Sequence, residues 1–121
     1  MMNAATAISG CGPGYIFHFI ENSAMGDDNI SVHARHDMMR RLEKAAEAVG
    51  FNLEDAAFLA ANTVNASINL LKATGLKPEE LKTQVASKGG TTEAGLVVLH
   101  KGGSWQDAAL AALKRANDLA K

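Results

Sequence analysis

The sequence is poor in the features that would commit it to several common designs. Its single cysteine, Cys11, rules out an intrachain disulfide and a structural zinc site built on several thiolates. That usage suits a reducing cytoplasm. Aromatic residues are only 5% of the chain and do not cluster into a stacking platform. The 12 basic residues are balanced by 13 acidic ones, so neither charge nor aromatics point to nucleic acid. No apolar run approaches the roughly 20 residues of a membrane helix. The opening MMNAATAISG has neither the basic start nor the apolar stretch of a signal peptide. Strand signals are also missing: β-branched residues are scattered, and no stretch alternates cleanly.

What remains is an alanine-rich chain of 121 residues, 47% hydrophobic and 21% charged, the composition of an ordinary folded protein. Residues 1–121 are expected to form one all-α domain, a bundle of five or six helices separated by Gly- or Pro-marked breaks. The first helix begins near Pro13 and carries Tyr15, Ile16, Phe17, Phe19 and Ile20. A second runs from about Ser31 to Val49, with Val32, Met39, Leu42, Ala46 and Val49 on one side and Gly50 as its stop. The third is bounded by the capping pair Asn52 and Asp55 and by Gly75. At 100° per residue, its Leu53, Ala57, Val64, Ile68 and Leu71 share a face. Phe58, Leu59 and Leu70 lie outside that stripe, and Asn62, Asn65 and Asn69 form a polar strip. A helix apolar around most of its girth must be covered on several sides. A partner chain meets that need, with the asparagines fixing register. Pro78–Ala86 forms a short helix, Thr92–His100 another, and the last starts at Ser104 with Asp107 completing a capping box. Its buried side is Trp105, Ala109, Ala112, Leu113, Ala116 and Leu119.

Two glycine-rich stretches stand out. Ser9-Gly10-Cys11-Gly12-Pro13-Gly14-Tyr15 lacks the preceding strand and following acidic residue of a dinucleotide loop, and reads as a turn into a helix. Ser87-Lys88-Gly89-Gly90-Thr91-Thr92 lies between two helices. There the N–H groups of Thr91, Thr92 and Glu93 point out of a helix start that favours a carboxylate or phosphate. The hydroxyls of Ser87, Thr91 and Thr92 are placed to add hydrogen bonds. The residues alone leave plain interhelical capping as the alternative. His33 and His36, three apart and near Asp27, Asp28 and Asp37, have the spacing of two metal ligands on a helix. They read better as a polar surface, and no metal site is assigned. His18 and His100 read as core-edge or helix-end residues, and Cys11 as a small buried one.

The run Val85-Ala86-Ser87-Lys88-Gly89-Gly90-Thr91-Thr92-Glu93-Ala94-Gly95-Leu96 resembles the V-x-S-P-G-G-T-T-x-x-G-L signature of pyrroline-5-carboxylate reductases. Ala7-Ile8-Ser9-Gly10-Cys11-Gly12-Pro13-Gly14-Tyr15 is similar to the family's T-A-L-S-G-S-G-P-A-Y, and Leu81-Lys82-Thr83-Gln84-Val85 to its L-K-D-x-V. The resemblance covers about 100 residues in order. It implies the helical dimerisation domain of an enzyme that also has an N-terminal Rossmann domain and moves hydride from NAD(P)H to 1-pyrroline-5-carboxylate to make proline. It implies an interlocked homodimer, like the C-terminal domain of 6-phosphogluconate dehydrogenase, or a higher homo-oligomer. It also implies that Ser87, Gly89, Gly90, Thr91 and Thr92 hold the substrate carboxylate.

Three departures qualify this. No βαβ unit is present, so these residues alone are expected to bind no NAD(P)H and to be inactive. Lys88 replaces the usual proline and loosens the turn. Asn22 to Arg41 resembles an insertion. Two functions follow. One is the dimer-forming, carboxylate-binding part of a reductase, working with a Rossmann domain that can be a separate chain. The other is a non-catalytic helical oligomer descended from it.

Overall fold

The computed structural model describes residues 2–23, 30–86 and 90–120. Within them every regular element is helical: α1 (Met2–Ala5), a π-helical turn (Thr6–Gly10), α2 (Gly12–Glu21), α3 (Val32–Ala48), α4 (Leu53–Thr74), α5 (Pro78–Ala86), α6 (Thr91–His100) and α7 (Trp105–Leu119). The six helices from α2 to α7 match the expected bundle. The N-terminal helical segment before Cys11 is additional.

The capping signals set the boundaries where the sequence placed them. The Ser31 hydroxyl accepts from the Ala34 N–H at 3.0 Å, Asn52 Oδ1 from the Asp55 N–H at 2.8 Å, and the Ser104 hydroxyl from the Asp107 N–H at 3.1 Å. At the other ends, Gly75 and Gly102 adopt φ of 68° and 86°. At Gly102 the N–H bonds Leu99 O and the next N–H, of Gly103, bonds Val98 O, which closes α6 with paired carbonyls satisfied.

The helices share one core. α3 packs on α4 and α7, α2 on α5, and α6 and α7 fold back on each other as a hairpin. The buried side of α3 is Met38, Leu42, Ala45, Ala46 and Val49. Val32, expected on that side, is 66% exposed, because the first turn of α3 runs beyond the core. On α7, Leu119 is likewise exposed, and Ala108 takes a buried place instead. The ten residues from Val32 to Arg41 are the first part of continuous α3. Arg35 reaches α4 by donating from Nη1 to Asn65 Oδ1 at 2.8 Å.

The largest correction concerns α4. Its buried side is Ala56, Ala60, Thr63, Val64, Ser67, Ile68 and Leu71, mostly small residues. Leu53, expected under cover, is 67% exposed, and Ala57 is exposed too. The small residues inside let α4 sit close to its neighbours, and Leu53, its first residue, lies beyond the core that covers Val64, Ile68 and Leu71 on the same side. Phe58 and Leu70 do face outward as expected, at 69% and 43% exposure, whereas Leu59 is half-buried against the core.

The Ser9-to-Tyr15 stretch turns at Cys11 into α2, with a π-helical turn before it, and its glycines serve packing. The Cys11 N–H bonds Thr6 O at 2.9 Å, the five-residue step of a π-turn. A Cβ on Gly12 would meet Thr63 Cγ2 at 2.9 Å and Leu42 Cδ2 at 3.3 Å. One on Gly14 would meet Thr92 Cγ2 at 2.7 Å. Tyr15 is fully buried and donates its hydroxyl to Ala7 O at 3.2 Å, with its ring edge-on to Trp105 at 5.9 Å. Burial, with Cys11 beside it, pushes the phenol pKa well above its ordinary value, so Tyr15 stays a neutral donor.

At Gly95 the neighbours are a buried ring and a backbone oxygen, which have little room to give. A Cβ there would lie 2.8 Å from both the Tyr15 ring edge and its hydroxyl, and 3.1 Å from Ala108 O. Gly95→Ala is therefore expected to cost about 1–3 kcal/mol in denaturant unfolding, the range for overpacking a core. Gly10→Ala, whose Cβ would make only a 3.4 Å contact with Thr6, is the control and should change stability by no more than about 0.5 kcal/mol. Equal effects of the two would contradict the close-approach account.

Candidate functional site

Of the five residues expected to hold a carboxylate, Gly90, Thr91 and Thr92 are described; Ser87 and Gly89 lie outside the described residues, as does Lys88. Gly90 is the N-cap of α6, at φ 73° and ψ −23°, a left-handed conformation that a side chain would strain. Thr91 and Thr92 are the first two helical residues, and Gly90 O accepts from the Ala94 N–H at 3.0 Å. The N–H groups of Thr91, Thr92 and Glu93 come before the first turn closes, so they have no acceptor within the helix. Three other helices carry a Ser or Asn side chain on this end, but the α6 N-cap residue has no side chain to offer.

Two features fix this helix start in place. Thr92 is buried, and its methyl packs where Gly14 of α2 leaves room. One turn further on, Gly95 seats α6 on Tyr15 and on the α7 backbone. The same hairpin brings up a residue the motif reading did not single out. Arg115 of α7 comes alongside Gly90, with its Nε 3.4 Å from where a Gly90 Cβ would be. The signal was available in the sequence. If Gly102 and Gly103 close a hairpin between α6 and α7, a basic residue well along α7 falls opposite the start of α6. A guanidinium there adds positive charge to a helix end that already favours anions.

The outer face of α4 is the second feature. Phe58 and Leu59 of α4, with Asn62, Thr63 and Ala66, line a groove of about 370 Å³ whose other wall is Ser9 and Pro13. Asn62 donates to Phe58 O within its own helix, at 2.9 Å. Asn65 does not belong to the expected polar strip, because it is bonded to Arg35 of α3.

The metal reading gains nothing. His33 and His36 are exposed on α3, Asp37 pairs with Arg41 at 3.0 Å, and Asp27 and Asp28 lie outside the described residues. Among the described residues no three His, Cys, Asp or Glu side chains are grouped to hold a metal. Nor, among them, is any helix long and apolar enough to cross a membrane.

Comparison with known proteins agrees with the geometry. The family described as pyrroline-5-carboxylate reductase dimerisation matches residues 36–121. Pyrroline-5-carboxylate reductase 2 of Bacillus subtilis (strain 168) is 36% identical over 81% of this chain and 28% of its own length. Pyrroline-5-carboxylate reductase of Arabidopsis thaliana is 36% identical over 100% of this chain and 38% of its own, and that of Methanosarcina acetivorans is 32% identical over 100% and 39%. The chain thus spans about a third of the length of these curated relatives. No solved structure gives a significant match. With most of its length under the family's own profile, this chain belongs to the pyrroline-5-carboxylate reductase family, as its dimerisation domain.

Proposed function

We propose that this domain pairs with a second copy through the outer face of α4 and presents the start of α6 to the carboxylate of 1-pyrroline-5-carboxylate. A nucleotide-binding domain, in the same or another chain, brings the NAD(P)H that reduces the C=N bond to give proline. The observation that carries the carboxylate role is the α6 start itself. A left-handed Gly90 leaves three N–H groups without a side-chain cap from the N-cap residue, and Arg115 stands beside it. The full charge of a substrate carboxylate complements both. In this reading Thr92, held by α2, positions the helix start, and Ser87 and Gly89 belong to the same carboxylate-binding set. The domain's own residues bind and orient the substrate. The hydride comes from the cofactor, and it is the nicotinamide alone that supplies the redox chemistry.

The observation that carries the homodimer is the set of large apolar side chains on the outside of α4. Covering Phe58 and Leu70 against a copy of the same helix would stabilise the assembly by very roughly 1.5–3 kcal/mol for each fully buried side chain. A two-fold contact does this without further sequence. The exposed Asn62 and Asn69 are left to fix register, while Asn65 stays with Arg35.

Three outcomes are expected. The 121 residues alone should not oxidise NAD(P)H in the presence of pyrroline-5-carboxylate, and turnover by the purified chain would refute the division of labour. Proline, added as a carboxylate probe, should shift the amide resonances of Gly90, Thr91 and Thr92. Arg115→Gln should weaken that binding by up to about fivefold, the order of one exposed ion pair of ~1 kcal/mol. Shifts that map elsewhere would misplace the seat. In sedimentation at micromolar concentration the chain should run as a homodimer, and Leu70→Asp or Phe58→Asp should dissociate it. A folded wild-type monomer would sink the α4 interface, and a variant that stayed dimeric would move it to another face.

A further inference from the structure

The meeting point of α2, α5 and α6 gathers titratable groups that the carboxylate seat and the dimer face do not use. His18 of α2 and His100, the last residue of α6, stand edge to face with ring centroids 4.9 Å apart and planes at 71°. Beside them Lys82 of α5 is ion-paired with Glu21 of α2, and both side chains are largely shielded from solvent. The carboxylate nearest the histidines is therefore already engaged by a lysine. Asn22, in the turn after α2, places its amide 3.4 Å from His18 Nδ1. From α3, Arg41 lines the same groove as His18, and it is itself paired with Asp37. From α6, Glu93 lines the groove that Lys82 and His100 share, and Lys101 follows His100. Cations and potential cations thus outnumber the free carboxylates here.

We propose that this junction is an acid-sensitive latch: protonation of the His18–His100 pair sets two imidazolium rings in contact beside Lys82 and loosens α2 from α5 and α6. When neutral, the rings make a favourable edge-to-face contact that joins two helices distant in sequence. When charged, they repel each other, and the engaged Glu21 cannot compensate both of them and Lys82 at once. α5 and α6 are the helices on either side of residues 87–90, so the latch governs how firmly α5, the first of them, is held to α2.

The sign of the pH effect follows from His18. Partial burial lowers its pKa below the ordinary histidine value. Positive charge on Lys82 and on His100 lowers it further, and Glu21 opposes them less strongly. A folded-state pKa below the unfolded one means that the fold resists protonation. Its stability is complete above the unfolded value of about 6.5, and it is lost as pH falls from there through the lower folded value.

The test is an NMR titration of the imidazole signals in the full chain, from about pH 7.5 to about pH 5, a range that brackets the ordinary histidine pKa of about 6.5. His18 should titrate below that ordinary value, and His100→Gln should raise its midpoint. Amide protection in Lys82–Ala86, corrected for intrinsic exchange rates, should fall across the same range in the wild type and should hold in His18→Gln. If His18→Gln does not fold, the wild-type titration and the His100→Gln variant, at an exposed position, decide the matter. A His18 midpoint at or above the ordinary value, one unmoved by His100→Gln, or unchanging protection of α5 would each overturn the latch.

Discussion

A 22-residue helix carries more apolar surface than the rest of this small chain can cover, and the architecture follows from how that surface is divided. The inner side of α4 is lined by Ala56, Ala60, Thr63 and Ser67, with Val64, Ile68 and Leu71. Small side chains on that side let α3 and α2 approach closely. Phe58 and Leu70 are left on the outside, and Leu53, the first residue of α4, carries the inner side past the end of the core. The outer side is the feature that makes sense of a family defined by dimerisation.

The same economy of space runs through α2. Gly12 makes room for Leu42 and Thr63, Gly14 for Thr92, and Gly95 of α6 for Tyr15. These contacts tie the start of α6 to the centre of the core rather than leaving it on a loop. Tyr15, bonded to Ala7 O and edge-on to Trp105, holds the N-terminal π-turn, α2 and the α6–α7 hairpin to one another. A binding seat gains from such support, because its donors are held in position before the ligand arrives.

Helix identity and boundaries were legible because caps are local chemistry. Asn52 with Asp55, Ser104 with Asp107, and Gly75 each announce themselves within a few residues, and each behaves as its type requires. What was not legible depends on distant partners. Val32 and Leu119 fit their helical stripes but lie where the core has ended. Leu53 shares a face with Val64 on a helical wheel, yet only tertiary packing says how far that face is covered. That the glycines before Tyr15 also make room for Leu42, Thr63 and Thr92 shows only once those distant residues are seen against them. The motif singled out Gly90, Thr91 and Thr92 at the start of α6, while the approach of Arg115 required the hairpin. The pairing of His18 with His100 has no sequence signal at all, since neither residue lies in a motif.

The account stands most directly on which surface of α4 meets a second chain. Isotope-filtered NMR on a mixture of labelled and unlabelled protein reads contacts between chains alone. The account predicts intermolecular contacts from the Phe58 ring to the Leu70 methyl groups of the other copy. Intermolecular contacts confined to Leu110 and Leu119 of α7, or none at all at a concentration where the chain is dimeric, would contradict it.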